Sequence, residues 1–406
     1  MALSLLSAIQ GAFQGPAPIQ GRVTATSRAT VPRALDVVVA PDAKPPAAKE
    51  ELPDYMKSKR NLYPRKCDVM DEIENFVQEQ IDGGLLLNPE KAWQPSDFLP
   101  DSQKPTDEWF DEVREMRKVA ADLPDELLLV LIGDMITEEA LPTYLTLLNT
   151  LEGTDDPTGA VDTAWGRWSR QWTSEENRHG DLLNRYLYLG GRVNMRSIEQ
   201  TIMRLISSGF DPDTRSDPYR GFIYTSFQER ATKISHGNVG KIAKKQGDSN
   251  LARICATIAG DEARHEKAYQ AFVKELLARD PDNTLLAFAD MMRGQITMPA
   301  QLMDDGLHVG GQKPAPGDTK LFASFSVVAQ KLGVYTVLDY ANIMEHLMKI
   351  WNISELEGLS AEAVEAQDYL CKLPKRYGRL AERAMKKETG ANHVPVEFSW
   401  VNGRLV

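Results

Sequence analysis

The chain has 406 residues, 42% of them apolar and 26% charged, with a formal net charge of −11. That fits one large domain or two average ones with a sizeable core. The acidic balance gives no support to nucleic-acid binding, which needs a basic surface. No apolar run approaches the roughly 18 residues needed to span a bilayer, so the chain is expected to be soluble or at most peripheral to membranes.

Residues 1–35 contain no Asp or Glu and carry Arg22, Arg28 and Arg33 among Ser, Thr, Ala and Gly. That is the composition of an organelle transit peptide, and the start Met1-Ala-Leu-Ser-Leu-Leu lacks the early basic residue of a secretory signal. Residues 36–53 mix Pro, Ala and both charges and read as a disordered linker. The domain is expected over 54–406. It opens on a basic cluster, Lys57, Lys59, Arg60, Arg65 and Lys66. Val69, Ile73, Phe76, Val77 and Ile81 then recur at helical spacing until Gly83-Gly84. A proline-rich loop spans 93–105.

Helices are expected at 106–121, 125–151, 159–189, 195–207, 217–246 and 249–279, then at 283–294, 318–331, 335–353 and 360–388. Pro124, Gly153, Gly190-Gly191, Gly209, Pro212, Gly247-Asp248 and Asp280-Pro281 punctuate them. Helices longer than 25 residues suit a large bundle. Val401-Asn402-Gly403-Arg404 reads as a small hairpin, because Asn-Gly suits a type I′ turn. The fold class is therefore all-α, with a small C-terminal β-hairpin. Cys67, Cys255 and Cys371 are odd in number, with no CxxC pair, and read as reduced core thiols.

Two helices carry the same string: Glu175-Glu176-Asn177-Arg178-His179 and Asp261-Glu262-Ala263-Arg264-His265. Residues i and i+3 lie about 60° apart on a helix, so each Glu and His can grip one ion. Each such helix follows one with a Glu in an apolar setting, Glu138 and Glu229. One Glu from each of two helices plus Glu-x-x-His from each of two others is the di-iron or di-manganese carboxylate pattern of ferritin-like bundles. Oxygen and imidazole donors suit those metals. Two carboxylates bridge, two cap, and the histidines complete each ion's shell. A single Glu-x-x-His is weak, but a matched pair is not. Spacing alone leaves Glu175 open as an alternative to Glu176; the parallel with Glu262 favours Glu176. His236, His308, His346 and His393 lack a Glu three residues earlier and read as ordinary core or surface residues.

The stretches from Gly133 to Tyr144, Glu175 to Asn184, Gly221 to Ala231 and Asp261 to Glu266 closely resemble the plant plastid acyl-acyl-carrier-protein desaturases. The similarity runs from about residue 53 to the C-terminus, and the transit-like N-terminus fits it. The resemblance implies a ferritin-like helical bundle with a four-helix core, a soluble homodimer and two Fe2+ ions per subunit in a plastid stroma. It implies removal of two hydrogens from a saturated acyl chain on acyl carrier protein, with O2 as oxidant and reduced ferredoxin as electron donor. Stearoyl carrier protein, desaturated at carbon nine, is the family's commonest substrate.

Carried over by position, the ligands are Glu138, Glu176, His179, Glu229, Glu262 and His265. Thr232 falls beside the oxygen-binding face. Trp93 and Asp261 fall behind the site, Asp261 holding His179. The acyl slot falls on Leu147, Thr150, Leu151, Pro212, Thr214, Gly221 and Phe222. Leu147 departs from the Met familiar there, which leaves open a paralogue with another chain length or bond position. The acidic carrier implies a local basic docking patch; besides the first cluster, Lys241 with Lys244 and Lys245, and Lys375, Arg376, Arg379 and Arg383, are candidates. The competing classes are a ferritin-like iron oxidase, against which the length argues, a ribonucleotide-reductase-type small subunit needing a radical Tyr such as Tyr144 or Tyr224, and a metal-free helical scaffold.

Overall fold

The computed structural model describes residues 60–307, 320–388 and 395–406. The expected transit peptide and linker, and Lys57, Lys59, His308 and His393, lie outside the described residues.

Thirteen α-helices run through the described residues: α1 Pro64–Glu72, α2 Glu74–Asp82, α3 Thr106–Ala121, α4 Asp125–Glu139, α5 Leu141–Leu148, α6 Ala164–Gly190, α7 Met195–Ser208, α8 Pro218–Lys245, α9 Ser249–Arg279, α10 Pro281–Gly294, α11 Lys320–Leu332, α12 Val337–Ile350 and α13 Ala361–Glu388. The all-α expectation holds. No single helix among the described residues is long and apolar enough to cross a membrane.

The long helices start where the sequence supplies a cap. The Thr163 hydroxyl accepts from the Gly166 N–H at the head of α6. Asp217 accepts from Tyr219 N–H ahead of α8, with Pro218 as the first helical residue. Asp248 accepts from Leu251 N–H at α9. Each cap satisfies a backbone donor that has no partner inside the helix. Gly191, at φ 69°, ends α6 in a left-handed turn that a side chain disfavours.

One expected helix is two. The span 125–151 breaks at Ala140, because Pro142 lacks an N–H and its ring would strike the carbonyl of Glu138. The Tyr144 hydroxyl donates at 2.7 Å to the Thr137 carbonyl, which also accepts from the Ala140 N–H. The break leaves Glu138 at the last turn of α4. Residues 159–163 are also not helical, since Thr163 caps the helix from outside.

α4, α6, α8 and α9 form the central layer, and α8 packs along α9 for most of its length. Leu127 to Ile132 are buried without a break, so α4 is apolar on every side, as befits a helix enclosed by others. α2 and α3 lie on α6, α11 on α4, and α13 on α10 and α12. Gly133 allows the last of the contacts to α4: a Cβ there would fall 2.3 Å from the Phe325 ring of α11.

β1 Glu397–Phe398 and β2 Arg404–Leu405 pair antiparallel. The hairpin is present, but its connection is longer than the expected two-residue turn. A 3₁₀ turn, Ser399–Val401, precedes Asn402 and Gly403, both left-handed at φ 58° and 72°. The Trp400 indole is buried and donates to Thr201 on α7 at 2.9 Å, which accounts for the extra turn. Cys67 and Cys255 are buried as expected; Cys371 is exposed.

Candidate active site

The four central helices bring the six candidate ligands into one buried cluster. The ligand atoms of Glu138, Glu176, His179 and Glu262 lie within 4.8 Å of one another, and so do those of Glu176, Glu229, Glu262 and His265. Glu176 and Glu262 belong to both groups. Glu138 belongs only to the first group and Glu229 only to the second. His265 Nδ1 is 2.7 Å from Glu176 Oε1, and His179 Nδ1 is 3.2 Å from Glu262 Oε1.

Glu175, the alternative that spacing left open, points away from the cluster. Its carboxylate accepts from Arg264 at 2.7 Å, bonds the Leu87 backbone N–H, and lies 3.1 Å from His265 Nε2. It therefore stands to His265 as Asp261 stands to His179, where Nε2 and Oδ2 are 3.3 Å apart. An ionised carboxylate only accepts, so each Nε2 carries a proton and each Nδ1 faces the cluster. The acid preceding one motif thus holds the histidine of the other.

Around Asp261 the sequence-predicted residues assemble. Trp93 Nε1 donates to Asp261 at 3.0 Å, and so does Arg178 at 2.9 Å. The Arg178 guanidinium sits 4.3 Å from the Trp93 ring centre, and Trp93 stacks parallel to His179 at 6.1 Å. Burial pushes the Asp261 carboxyl up, but His179 and Arg264 outweigh it and hold it well below the usual range.

The end carboxylates also have partners. Trp172 Nε1 donates to Glu229 at 3.1 Å. His236 Nε2 is 2.8 Å from Glu138 Oε1. Neither residue was singled out from sequence. His236 is fully buried, 98 residues from its partner, and no local spacing announces the contact. Thr232 Oγ1 lies 2.6 Å from Glu262 Oε2, and at 3.0 Å from the Glu229 carbonyl. Thr232 therefore bonds its own helix backbone and also reaches a cluster carboxylate. The candidate radical tyrosines do not: the Tyr144 and Tyr224 hydroxyls donate to the backbone carbonyls of Thr137 and Thr297.

The cluster fits a pair of cations. His179 Nδ1, His265 Nδ1, Glu176 Oε1 and Glu262 Oε1 are buried without a hydrogen-bond partner among the described residues, and all four belong to the cluster. Burial, then the charges of its neighbours, pushes Glu229 and Glu262 up. Burial opposes charge on His179 and His265 too, yet the surrounding carboxylates hold both well above the usual imidazole range. Four carboxylates at this spacing demand positive charge, and cations held by oxygen and imidazole would supply it.

Of the residues expected to line the slot, Leu151 and Gly221 are in close contact. A Cβ on Gly221 would fall 2.5 Å from Leu151 Cδ1. Phe222 stacks on Trp165 at 5.1 Å. Pro212 and Thr214 are buried in the loop before α8. Leu147 is half-buried and Thr150 exposed, its hydroxyl donating to the Leu147 carbonyl.

The family model described as fatty acid desaturase matches residues 65–402. The chain belongs to that family. A stearoyl-[acyl-carrier-protein] 9-desaturase from Ricinus communis, named chloroplastic, is 54% identical over 354 residues, covering 87% of this chain and 85% of its own. One from Arabidopsis thaliana is 52% identical over 353 residues, covering 87% and 86%. A solved acyl-ACP desaturase, DesA2 from Mycobacterium tuberculosis, aligns over 74% of this chain and 99% of its own, with 19% identity and a TM-score of 0.43. The desaturase is thus an enzyme of an oxidoreductase family, and its buried carboxylate–histidine cluster is a metal site in character.

Proposed function

We propose that the protein desaturates stearoyl-acyl carrier protein between carbons nine and ten, as a plastid stromal homodimer with two iron ions per subunit. The reading takes residues 1–35 as a transit peptide, 36–53 as a linker and 54–406 as the enzyme. The observation that carries it is the shared pair Glu176 and Glu262 between two histidines, in a chain more than half identical to stearoyl desaturases.

The overall reaction converts a –CH2–CH2– unit, O2, two electrons and two protons from solvent to –CH=CH– and two waters. O2 gains four electrons: two come from the broken C–H bonds and two from reduced ferredoxin. When bound, the iron pair supplies the oxidising power for unactivated C–H bonds.

The chain's own residues do the rest. Glu138, Glu176, His179, Glu229, Glu262 and His265 hold the ions. Asp261 and Glu175 fix the histidine rings and keep Nδ1 unprotonated toward the centre. Thr232, through its hydroxyl on Glu262, orients that carboxylate and places a proton at the edge of the cluster. Trp93, packed on Arg178 and His179, fills the path from the Asp261 side of the site outward. Leu147, Thr150, Leu151, Pro212, Thr214, Gly221 and Phe222 form the slot that holds the chain and excludes water.

The carrier is acidic. Of the basic clusters, Arg60, Arg65 and Lys66 are neutralised by Asp71, Glu72 and Asp217. Lys375, Arg376, Arg379 and Arg383 lie exposed on α13 with no ion pair among the described residues, which supports that helix as the carrier's docking surface.

The test is to supply acyl carrier proteins of several chain lengths with reduced ferredoxin and O2, and to identify the products by mass spectrometry. An 18-carbon chain unsaturated at carbon nine is the expected product. Glu229→Ala is expected to lose product and iron together. Purified wild-type protein without iron, or full activity in Glu229→Ala, sinks the reading.

A further inference from the structure

The loop joining α7 to α8 has an unusual backbone. Asp213, Arg215 and Ser216 all adopt left-handed φ, at 63°, 55° and 59°. These are half of the six non-glycine residues with positive φ among the described residues. L-residues disfavour this region, and the conformation persists only where surroundings impose it.

Here the surroundings act from two sides. From α8, the buried Arg220 donates through Nε to the Asp213 carbonyl and through Nη2 to the Asp213 carboxylate, both at 2.9 Å. Its Nη1 reaches Asp290 at 3.5 Å. From the opposite side, the Tyr63 hydroxyl donates to the Arg215 carbonyl at 3.0 Å. The Glu152 N–H donates to the Ser216 carbonyl at 2.9 Å, and the Glu152 carboxylate in turn accepts from the Leu62 and Tyr63 N–H groups.

The consequence is an alternation. Asp213 and Arg215 face outward, while Pro212 and Thr214 are buried. The Thr214 hydroxyl is buried and has no hydrogen-bond partner among the described residues. Arg220 directly precedes Gly221, whose missing side chain admits Leu151. One side chain therefore ties the loop wall of the slot to its helix wall. Glu229 lies nine residues further along α8, about 13 Å at 1.5 Å per residue.

We infer that Arg220 and Tyr63 set the acyl-chain preference by holding the backbone of the loop Asp211–Ser216, and with it Pro212 and Thr214, in place. Both are positioning residues: neither contacts the cluster, and each acts through Pro212 and Thr214. The inference rests on the slot reading given above. Loosening either hold changes the width of the slot at the loop and leaves the metal residues in place.

The experiment compares wild type, Arg220→Lys and Tyr63→Phe, with Leu151→Phe as a control inside the slot. Iron content, double-bond position and kcat/KM on 16- and 18-carbon acyl carriers are measured, with hydrogen exchange at residues 211–217. Arg220→Lys keeps the charge but loses the two-point hold. It is expected to retain iron, to speed exchange in the loop, and to change the 16:18 preference by about fivefold, less than the roughly 10–200-fold that one methylene is worth in an apolar pocket. Tyr63→Phe is expected to shift the preference the same way by less, and decides the matter alone if Arg220→Lys does not fold. Wild-type preference and product in the folded variants, while Leu151→Phe shifts them, overturns the inference and leaves the slot standing. Loss of iron in folded Arg220→Lys also overturns it. If Leu151→Phe shifts nothing, the slot reading fails and the inference with it.

Discussion

Glu175 holds His265 across 90 residues of chain, with its carboxylate 3.1 Å from Nε2. The mirror relationship joins Asp261 to His179. Each Glu-x-x-His helix therefore supplies candidate ligands on one turn and, from the residue just before, the support for its counterpart's imidazole. Arg264 bonds both acids, Glu175 at 2.7 Å and Asp261 at 2.6 Å. The two halves of the site are locked together by groups outside the six candidate ligands.

Removing one of these acids is expected to loosen the metal. In Glu175→Ala, His265 loses the acceptor that fixes its ring, and Arg264 loses a buried partner. Metal affinity is expected to fall about 10–100-fold, as for other outer-sphere carboxylates. Chelator competition measures this, with circular dichroism confirming that the helices remain. Unchanged affinity in a folded variant means the crossed support is structural only.

Gly221→Ala tests the slot by subtraction. The new Cβ would lie 2.5 Å from Leu151 Cδ1, so Leu151 must move. Overpacking of this kind costs about 1–3 kcal/mol, and in the slot reading the lost space is the substrate's. Preference is expected to shift toward shorter acyl chains by about tenfold, the scale of one methylene. Competing 16- and 18-carbon carriers, read by mass spectrometry, give the ratio. A destabilised enzyme with unchanged ratio makes Gly221 a packing residue.

The six candidate ligands were legible because a helix converts a spacing of three residues into a shared face, and the string occurs twice. Helix ends were legible where Asp217, Asp248 or Gly191 marks them. The break at Ala140 was missed although Pro142 stood in the sequence, because the apolar run from Leu127 onward outweighed one breaker. Glu175 was seen but not placed: the choice between adjacent acids depends on which way each faces, and the answer lies on α9. His236 carried no local signal at all, since its contact to Glu138 exists only once α4 and α8 pack.

His236→Phe therefore tests a contact that folding alone creates. Glu138 would keep its place on α4 but lose the partner at Oε1, which lies 2.8 Å from His236 Nε2. A buried carboxylate oxygen without a partner costs about 1–3 kcal/mol. The expected outcome is lower iron occupancy at the Glu138 end, with the Glu229 end, supported by Trp172, less affected. Mössbauer spectra of the iron-loaded variant read the two ends separately. Equal loss at both ends means that His236 supports the bundle as a whole.

The C-terminal hairpin is held by Asp125, and acid should release it. Arg404 reaches Asp125 at 2.5 and 2.8 Å, and Arg192 reaches it at 2.5 Å. Burial pushes the Asp125 carboxyl up, but the Arg404 bond and the two guanidinium charges outweigh it and hold the carboxyl below its ordinary value. The unfolded chain thus binds this proton more readily than the folded one. The stabilisation is then full above about pH 4, where an unfolded Asp is ionised, and fades as pH falls through the lower folded value. Asp125→Asn is expected to cost about 1 kcal/mol at neutral pH, a modest figure because the pair is partly exposed and screened. Urea midpoints for wild type and variant should differ at neutral pH and converge in acid. A gap that persists in acid assigns the loss to packing at the head of α4 and removes the ion pair as its source.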